Sequence, residues 1–148
     1  MDWVVKRKMI IFAVLSATTW ININLIMMDR QLIEFNSRDE LLRLDVQRIV
    51  YIEADGNYSY IVTCNKLKGA VGMNLGQVED VLANRLKERK SIFARIGKKY
   101  IVNLNYVYKI NPLKKQLVLT DFNHFAFQLD ISREALKALK ELMVKMKI

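Results

Sequence analysis

The sequence predicts a mostly-β domain of the α+β class, built from short strands with two modest helices packed against them. Three observations carry this. The apolar segments are brief and numerous, and several alternate with a period of two. Only two stretches repeat their apolar residues at helical spacing, and each follows a residue able to cap a helix. The breaks between segments fall on Asn and Asp as well as on the five Gly and one Pro. With 148 residues, 52% of them hydrophobic, the chain can bury a core as one domain and does not have the composition of a disordered tail.

In chain order, Gln31–Phe35 and Glu40–Leu44 flank Asn36-Ser37-Arg38-Asp39 as a hairpin. Arg48–Ala54 is apolar and β-branched, and Asp55-Gly56-Asn57 is a turn signal before the alternating return strand Tyr58–Thr63. Leu67–Val71 is a third strand of this group. Asn74 can cap a helix whose Leu75, Val78, Val81, Leu82 and Leu86 form one apolar stripe. Gln77, Glu79, Asp80, Asn84 and Arg85 form its polar face, which places the adjacent carboxylates Glu79 and Asp80 in solvent.

Ile92–Ile96 and Tyr100–Leu104 follow around Gly97-Lys98-Lys99. Val107–Ile110 and Gln116–Thr120 make a second hairpin through Asn111-Pro112-Leu113-Lys114-Lys115, and His124–Leu129 is one more strand. The closing helix runs from Arg133 to about Lys147 with Ser132 as its cap. Ala135, Leu136, Leu139, Leu142, Met143 and Met146 are expected to face the core, with Lys137, Lys140, Lys145 and Lys147 in water.

Residues 1–28 form a separate hydrophobic N-terminal segment ahead of a domain at 29–148. Met9–Met28 carries no charge and follows Lys6-Arg7-Lys8, and it has the length of a membrane helix. Ser16, Thr18, Thr19, Asn22 and Asn24 weaken it as a span, and the positive-inside rule would put everything after Asp29 outside. A second reading is a functional start at Met27 or Met28. A third is a cleaved signal peptide, which lacks a clean Ala-x-Ala site.

The net charge is +9, and from Asp29 onward it is still +7, with 21 basic residues against 14 acidic. The surplus therefore belongs to the folded domain and favours a polyanionic partner, either nucleic acid or an anionic membrane. One cysteine, Cys64, excludes an intrachain disulfide, and one histidine, His124, makes a zinc site implausible, so no metal and no cofactor are expected. There is no Gly-rich phosphate loop, no G-x-S-x-G and no H-E-x-x-H. No catalytic constellation is present and the chain is not expected to be an enzyme. Nor is there a helix pair spaced as a helix-turn-helix.

Basic residues gather between Arg85 and Lys99. Within that run, Arg95-Ile96-Gly97-Lys98-Lys99-Tyr100 sets cations on a bend beside a glycine that permits close backbone approach. Such a loop offers phosphate contacts from Lys98 and Lys99 and a bidentate base contact from Arg95. The turn Asp55-Gly56-Asn57-Tyr58-Ser59-Tyr60 carries short polar side chains able to reach base edges or phosphates. Arg133 begins the last helix, where free N–H groups favour an anion.

These segments fall in a familiar order. Ile49-Val50-Tyr51-Ile52-Glu53-Ala54-Asp55-Gly56-Asn57-Tyr58 resembles the first hallmark of the LytTR family, an apolar strand with an acidic end and a small turn into Asn-Tyr. Phe93 through Leu104 is similar to the second, with Phe-x-Arg, a basic or polar pair, and an aliphatic run into Val-Asn. Ile131-Ser132-Arg133 before a Leu-rich helix is similar to the third. The resemblance covers roughly residues 32–146.

It implies an elongated stack of short antiparallel β-sheets and sequence-specific binding of double-stranded DNA by loops in successive major grooves. By position, the contacting residues would be Asn57, Ser59, Arg95, Lys98, Lys99 and Arg133, while Asn103 would tie down the backbone. Gly97, Lys98 and Lys99 stand where the family often has His or Arg with Ser, so the base preference is this chain's own. Many members carry a receiver domain ahead of the module. The residues that precede it here are too few for one, so a stand-alone regulator is expected, cytoplasmic and working as a homodimer or paired protomers on DNA. The alternative is a module associated with the inner membrane, anchored by residues 9–28, whose basic amphipathic last helix meets anionic lipid or a membrane partner.

Overall fold

The computed structural model describes residues 31–86 and 92–146, together with Thr19 and Ile21. The chain divides into two units, residues 1–31 and 32–148. Of the first, Thr19 and Ile21 are helical and exposed. The expectation of a membrane helix at Met9–Met28 otherwise lies outside the described residues. Among the described residues no helix is long and apolar enough to cross a membrane.

The second unit is mostly β. Its described residues form ten strands and two helices: β1 (Leu32–Asn36), β2 (Leu41–Asp45), β3 (Ile49–Asp55), β4 (Tyr58–Thr63), β5 (Lys68–Val71), α1 (Leu75–Arg85), β6 (Phe93–Ile96), β7 (Tyr100–Asn103), β8 (Val107–Asn111), β9 (Gln116–Thr120), β10 (Ala126–Asp130) and α2 (Arg133–Met146). The strands make three antiparallel sheets, β1-β2, β5-β4-β3-β7-β6 and β10-β9-β8.

Side-chain alternation on the five-stranded sheet sorts the core into two layers. Ile49, Ile52, Ile61, Phe93 and Ile101 face one side, where Ile33 and Phe35 of β1 and Leu75, Val78 and Leu82 of α1 cover them. Val50, Tyr51, Val62, Ile96, Tyr100 and Val102 face the other, against Leu117, Leu119 and Leu129 of the three-stranded sheet and Leu136 and Leu139 of α2. A register shift between Ile49 and Tyr51 lets Val50 and Tyr51 both enter the second layer. An edge-to-face pair joins its sheets, with Tyr51 5.4 Å from Phe127, and a second, Tyr106 5.3 Å from Phe125, joins the turn after β7 to the loop before β10.

Local chemistry explains where the elements end. Asn74 caps α1 with a reciprocal box: its Oδ1 accepts from the Gln77 N–H at 2.9 Å, and the Gln77 side chain accepts from the Asn74 N–H at 2.9 Å. The Ser132 hydroxyl accepts from the Ala135 N–H at 3.3 Å at the start of α2. Two 3-10 turns, Val46–Arg48 and Leu104–Tyr106, replace expected strand ends at Arg48 and Leu104, because Asp45 and Asn103 each accept the N–H two residues on. β10 begins at Ala126 rather than His124. Asp121 captures the N–H groups of Asn123, His124 and Phe125 and holds that stretch as a loop.

One expectation is corrected. Leu142 and Met146 of α2 are exposed at 39% and 40%, not turned to the core. The packed stripe is Leu136 and Leu139, flanked by Ala135 and Met143. Leu142 sits at its margin, and Met146 lies in the last turn of the helix.

Candidate nucleic-acid interface

Strand register brings separate loops to one end of the five-stranded sheet. The β3–β4 hairpin turns through Gly56 and Asn57, closing with Asp55 opposite Tyr58. Gly56 has φ +60, the left-handed geometry that a two-residue hairpin loop requires at its first position. The β6–β7 turn is Gly97-Lys98-Lys99, closing with Ile96 opposite Tyr100, and Gly97 has φ +61. β3 pairs with β7 so that Glu53 lies opposite Tyr100, and the Ala54 N–H donates to the Lys99 carbonyl at 2.8 Å. A backbone hydrogen bond thus fastens the second loop to the base of the first.

The start of α2 joins them. A Cβ at Gly97 would stand 3.9 Å from the Ala135 Cβ, which puts the first turn of the helix against the β6–β7 loop. The structure therefore gathers Asn57, Lys98, Lys99 and Arg133. Asn57, Lys98, Lys99 and Arg133 are all exposed. Neither Lys98 nor Arg133 has a carboxylate within ion-pair distance among the described residues.

The other two expected contacts are placed differently. Ser59, expected beside Asn57, is fully buried, and its hydroxyl donates to the Met73 carbonyl at 2.8 Å. It cannot present a group to a ligand while β4 keeps its register. Arg95 points from β6 toward α1 and pairs with Glu79 at 2.8 Å, on the face of the sheet opposite α2. Glu79 is thus committed to an ion pair rather than simply solvated.

Lys99 is also engaged. Its Nζ lies 3.2 Å from Glu53, and that hydrogen bond is the main reason its pKa stands above the ordinary lysine value. The Tyr100 hydroxyl approaches the same carboxylate at 3.5 Å, and burial, then the Glu53 charge, push its pKa up. Lys99 stays fully charged at neutral pH but carries its own counter-ion. Of the three cations gathered at this end, Lys98 and Arg133 have none among the described residues.

Asn103 has the backbone role that the resemblance implies. It is 1% exposed, its Nδ2 donates to the Ile49 carbonyl at 2.9 Å, and its Oδ1 accepts from the Asn105 N–H at 3.0 Å. Sequence reading did not single out Tyr58, which is 56% exposed beside Asn57 and adds an aromatic face to the hairpin tip. The signal was available, since alternation from a buried Ser59 puts Tyr58 outward. Among the described residues no three His, Cys, Asp or Glu side chains gather as a metal site. Lys87, Arg89 and Lys90 of the basic run lie outside the described residues.

Comparison with known proteins gives a consistent picture. The model of the LytTr DNA-binding domain matches residues 39–144. Among solved structures, the chain is similar to a protein described as the LytTr DNA-binding domain of a methyl-accepting/DNA response regulator from Bacillus cereus. The TM-score is 0.53 at 20% identity, over 76% of this chain and 95% of that one. At that identity the likeness is one of fold. None of the curated proteins matches.

Proposed function

Because this chain belongs to the LytTR family of DNA-binding domains, we propose that it regulates transcription by reading duplex DNA with the loops at one end of its five-stranded sheet. The observation that carries the proposal is the Ala54–Lys99 hydrogen bond together with the Gly97–Ala135 contact, which bring Asn57, Lys98 and Arg133 to a common exposed end. The three groups divide the work. Lys98 meets phosphate as a mobile point charge, Arg133 offers a two-pronged donor to guanine in the major groove, and the Asn57 amide can both donate to and accept from an adenine edge. Lys99 steadies the loop through Glu53 and contributes positive field. Arg95 adds a contact only after leaving Glu79.

A single such end spans little of a duplex, so two protomers on adjacent half-sites are the working unit. Residues 29–148 form the binding domain, residues 1–28 a separate segment, and the site of action is the cytoplasm, where the genome lies.

The test is selection by the full chain from a pool of random duplexes, repeated with Arg133→Ala. A recovered motif whose affinity falls by about 1–3 kcal/mol in the variant, with relaxed preference at one or two positions, is the expected outcome. Recovery of no motif by the parent protein would refute sequence-specific reading.

A further inference from the structure

A cleft lies at the other end of β4, away from the Asn57 hairpin. It opens between β2 with its following 3-10 turn and the β4–β5 turn, with a volume of about 490 Å³. That is within the usual range for small-molecule sites. Leu42, Leu44, Ile61 and Leu67 supply apolar wall and floor. Gly69 lies directly against Leu42, whose Cδ2 would stand 2.9 Å from a Cβ at that position. Leu67 stands 65% exposed at the mouth, an apolar side chain with little to cover it.

The charges of the cleft are unbalanced. Arg43, Arg48 and Lys68 line it against one acid, Asp45. Asp45 already accepts the Gln47 N–H at 3.0 Å, Arg43 is paired with Glu34 at 3.5 Å, and the Lys68 ammonium sits 4.5 Å above the Tyr60 ring. Arg48 has no carboxylate within ion-pair distance among the described residues. Its side-chain contact is the thiol of Cys64, 3.8 Å from Nη1, which is also part of the lining. Asp45 attracts Arg48 from outside ion-pair distance, but three cations against this one acid leave the lining net positive. An exposed guanidinium in no direct ion pair among the described residues, at the edge of an apolar trough, suits an anionic head on a short apolar tail.

We propose that this cleft binds a free small amphiphilic anion, such as a medium-chain carboxylate, with its head on the Arg48 guanidinium and its tail over Leu42, Leu44, Ile61 and Leu67. None of these residues belongs to the proposed DNA-reading end, and the two readings stand or fall separately. An amphiphilic cation lacks the matching charge, and an uncharged alcohol forgoes the charge-assisted hydrogen bond.

Cys64 is the single cysteine of the chain, so its alkylation by iodoacetamide reports occupancy without ambiguity. The full chain is titrated with octanoate, octan-1-ol, octyltrimethylammonium and anionic phosphatidylglycerol vesicles, and the concentration giving half-protection is read for each. Octanoate is expected to protect Cys64 saturably, and the alcohol and the cation only at concentrations about tenfold higher or more. Arg48→Gln and Leu67→Glu, both at exposed positions, should each raise the octanoate half-protection concentration about tenfold. Half-protection is compared rather than rate, because Arg48 touches the thiol itself. Equal protection by all three octyl compounds would reduce the cleft to a merely greasy groove and overturn the proposal. So would octanoate protection that is unchanged in Arg48→Gln, an absence of protection, or protection by vesicles alone, which would indicate a membrane surface.

Discussion

Replacing Asn103 by alanine removes the side chain that locks β7 to β3, and its cost can be worked from the geometry. Two hydrogen bonds disappear, one to the Ile49 carbonyl at 2.9 Å and one from the Asn105 N–H at 3.0 Å. Each is worth about 1 kcal/mol net, and a partner stranded in the interior adds its own desolvation penalty of about 1–3 kcal/mol. Asn103 and Ile49 are 1% and 0% exposed, so water does not readily replace the lost donor. Asn105 is exposed, and its N–H recovers a partner more easily. The sum is about 3 kcal/mol, or roughly 10 °C in Tm for a domain of this size. Urea unfolding followed by far-ultraviolet circular dichroism should show the midpoint fall at constant slope. Asn103→Asp sharpens the test. The new carboxylate faces a carbonyl, so its folded-state pKa rises. The resulting penalty is complete above that raised folded-state value and fades as pH falls from it toward the unfolded value of about 3.9, where the protonated acid can donate to Ile49. A loss under about 1 kcal/mol in Asn103→Ala, or no acid recovery in Asn103→Asp relative to Asn103→Ala, would refute the reasoning.

Three further outcomes are expected. Lys98→Ala should weaken DNA binding equally for all sequences and lower the slope of log affinity against log salt by about 1, and a change of preferred motif would instead assign Lys98 to a base. Glu79→Gln frees Arg95 and removes a negative charge near the proposed reading end, so DNA affinity should rise while stability moves by no more than about 1 kcal/mol, since both side chains of the pair remain partly in solvent. A fall in affinity would mean that Glu79 positions Arg95 for contact. For Asp121, desolvation pushes the pKa up, but the N–H groups of Asn123, His124 and Phe125 and the His124 side chain outweigh it and hold the carboxyl below its ordinary range. Its contribution to stability is complete above about pH 4 and is lost as pH falls through the depressed value. Asp121→Asn should therefore flatten the acid limb of the stability profile, and parallel profiles for parent and variant would contradict this.

The elements were legible wherever one face of a segment is buried. β3, β4, α1 and α2 follow from alternation or helical spacing because burial dictates which side chains recur. Ser59 shows what a motif alone omits: reading Tyr58 outward from the hairpin would have turned Ser59 inward, yet its position beside Asn57 favoured the functional reading. The Arg95–Glu79 and Lys99–Glu53 pairs were not legible, since each joins separate elements whose approach depends on tertiary packing and strand register. Leu142 and Met146 have the spacing of a core stripe, but spacing carries no information on how much of the stripe the sheets cover. The gathering of Asn57, Lys98 and Arg133 was implied only by resemblance, and the pairing of β3 with β7 supplies the physical cause.

The division of labour between Asn103 and its exposed neighbours bears on how a regulator of the proposed kind would change its target. Asn57, Lys98 and Arg133 sit beyond the strands and have no ion-pair partners among the described residues, while the register that spaces them is held by Asn103 and the Ala54–Lys99 bond beneath. On the proposed reading, mutation at the three outer positions would explore new operators at little cost to folding. Loss of Asn103 would instead act first on stability, through the bonds it makes to Ile49 and Asn105. A duplicated copy of this gene would be free to acquire a different regulon through a handful of surface changes on an inherited frame.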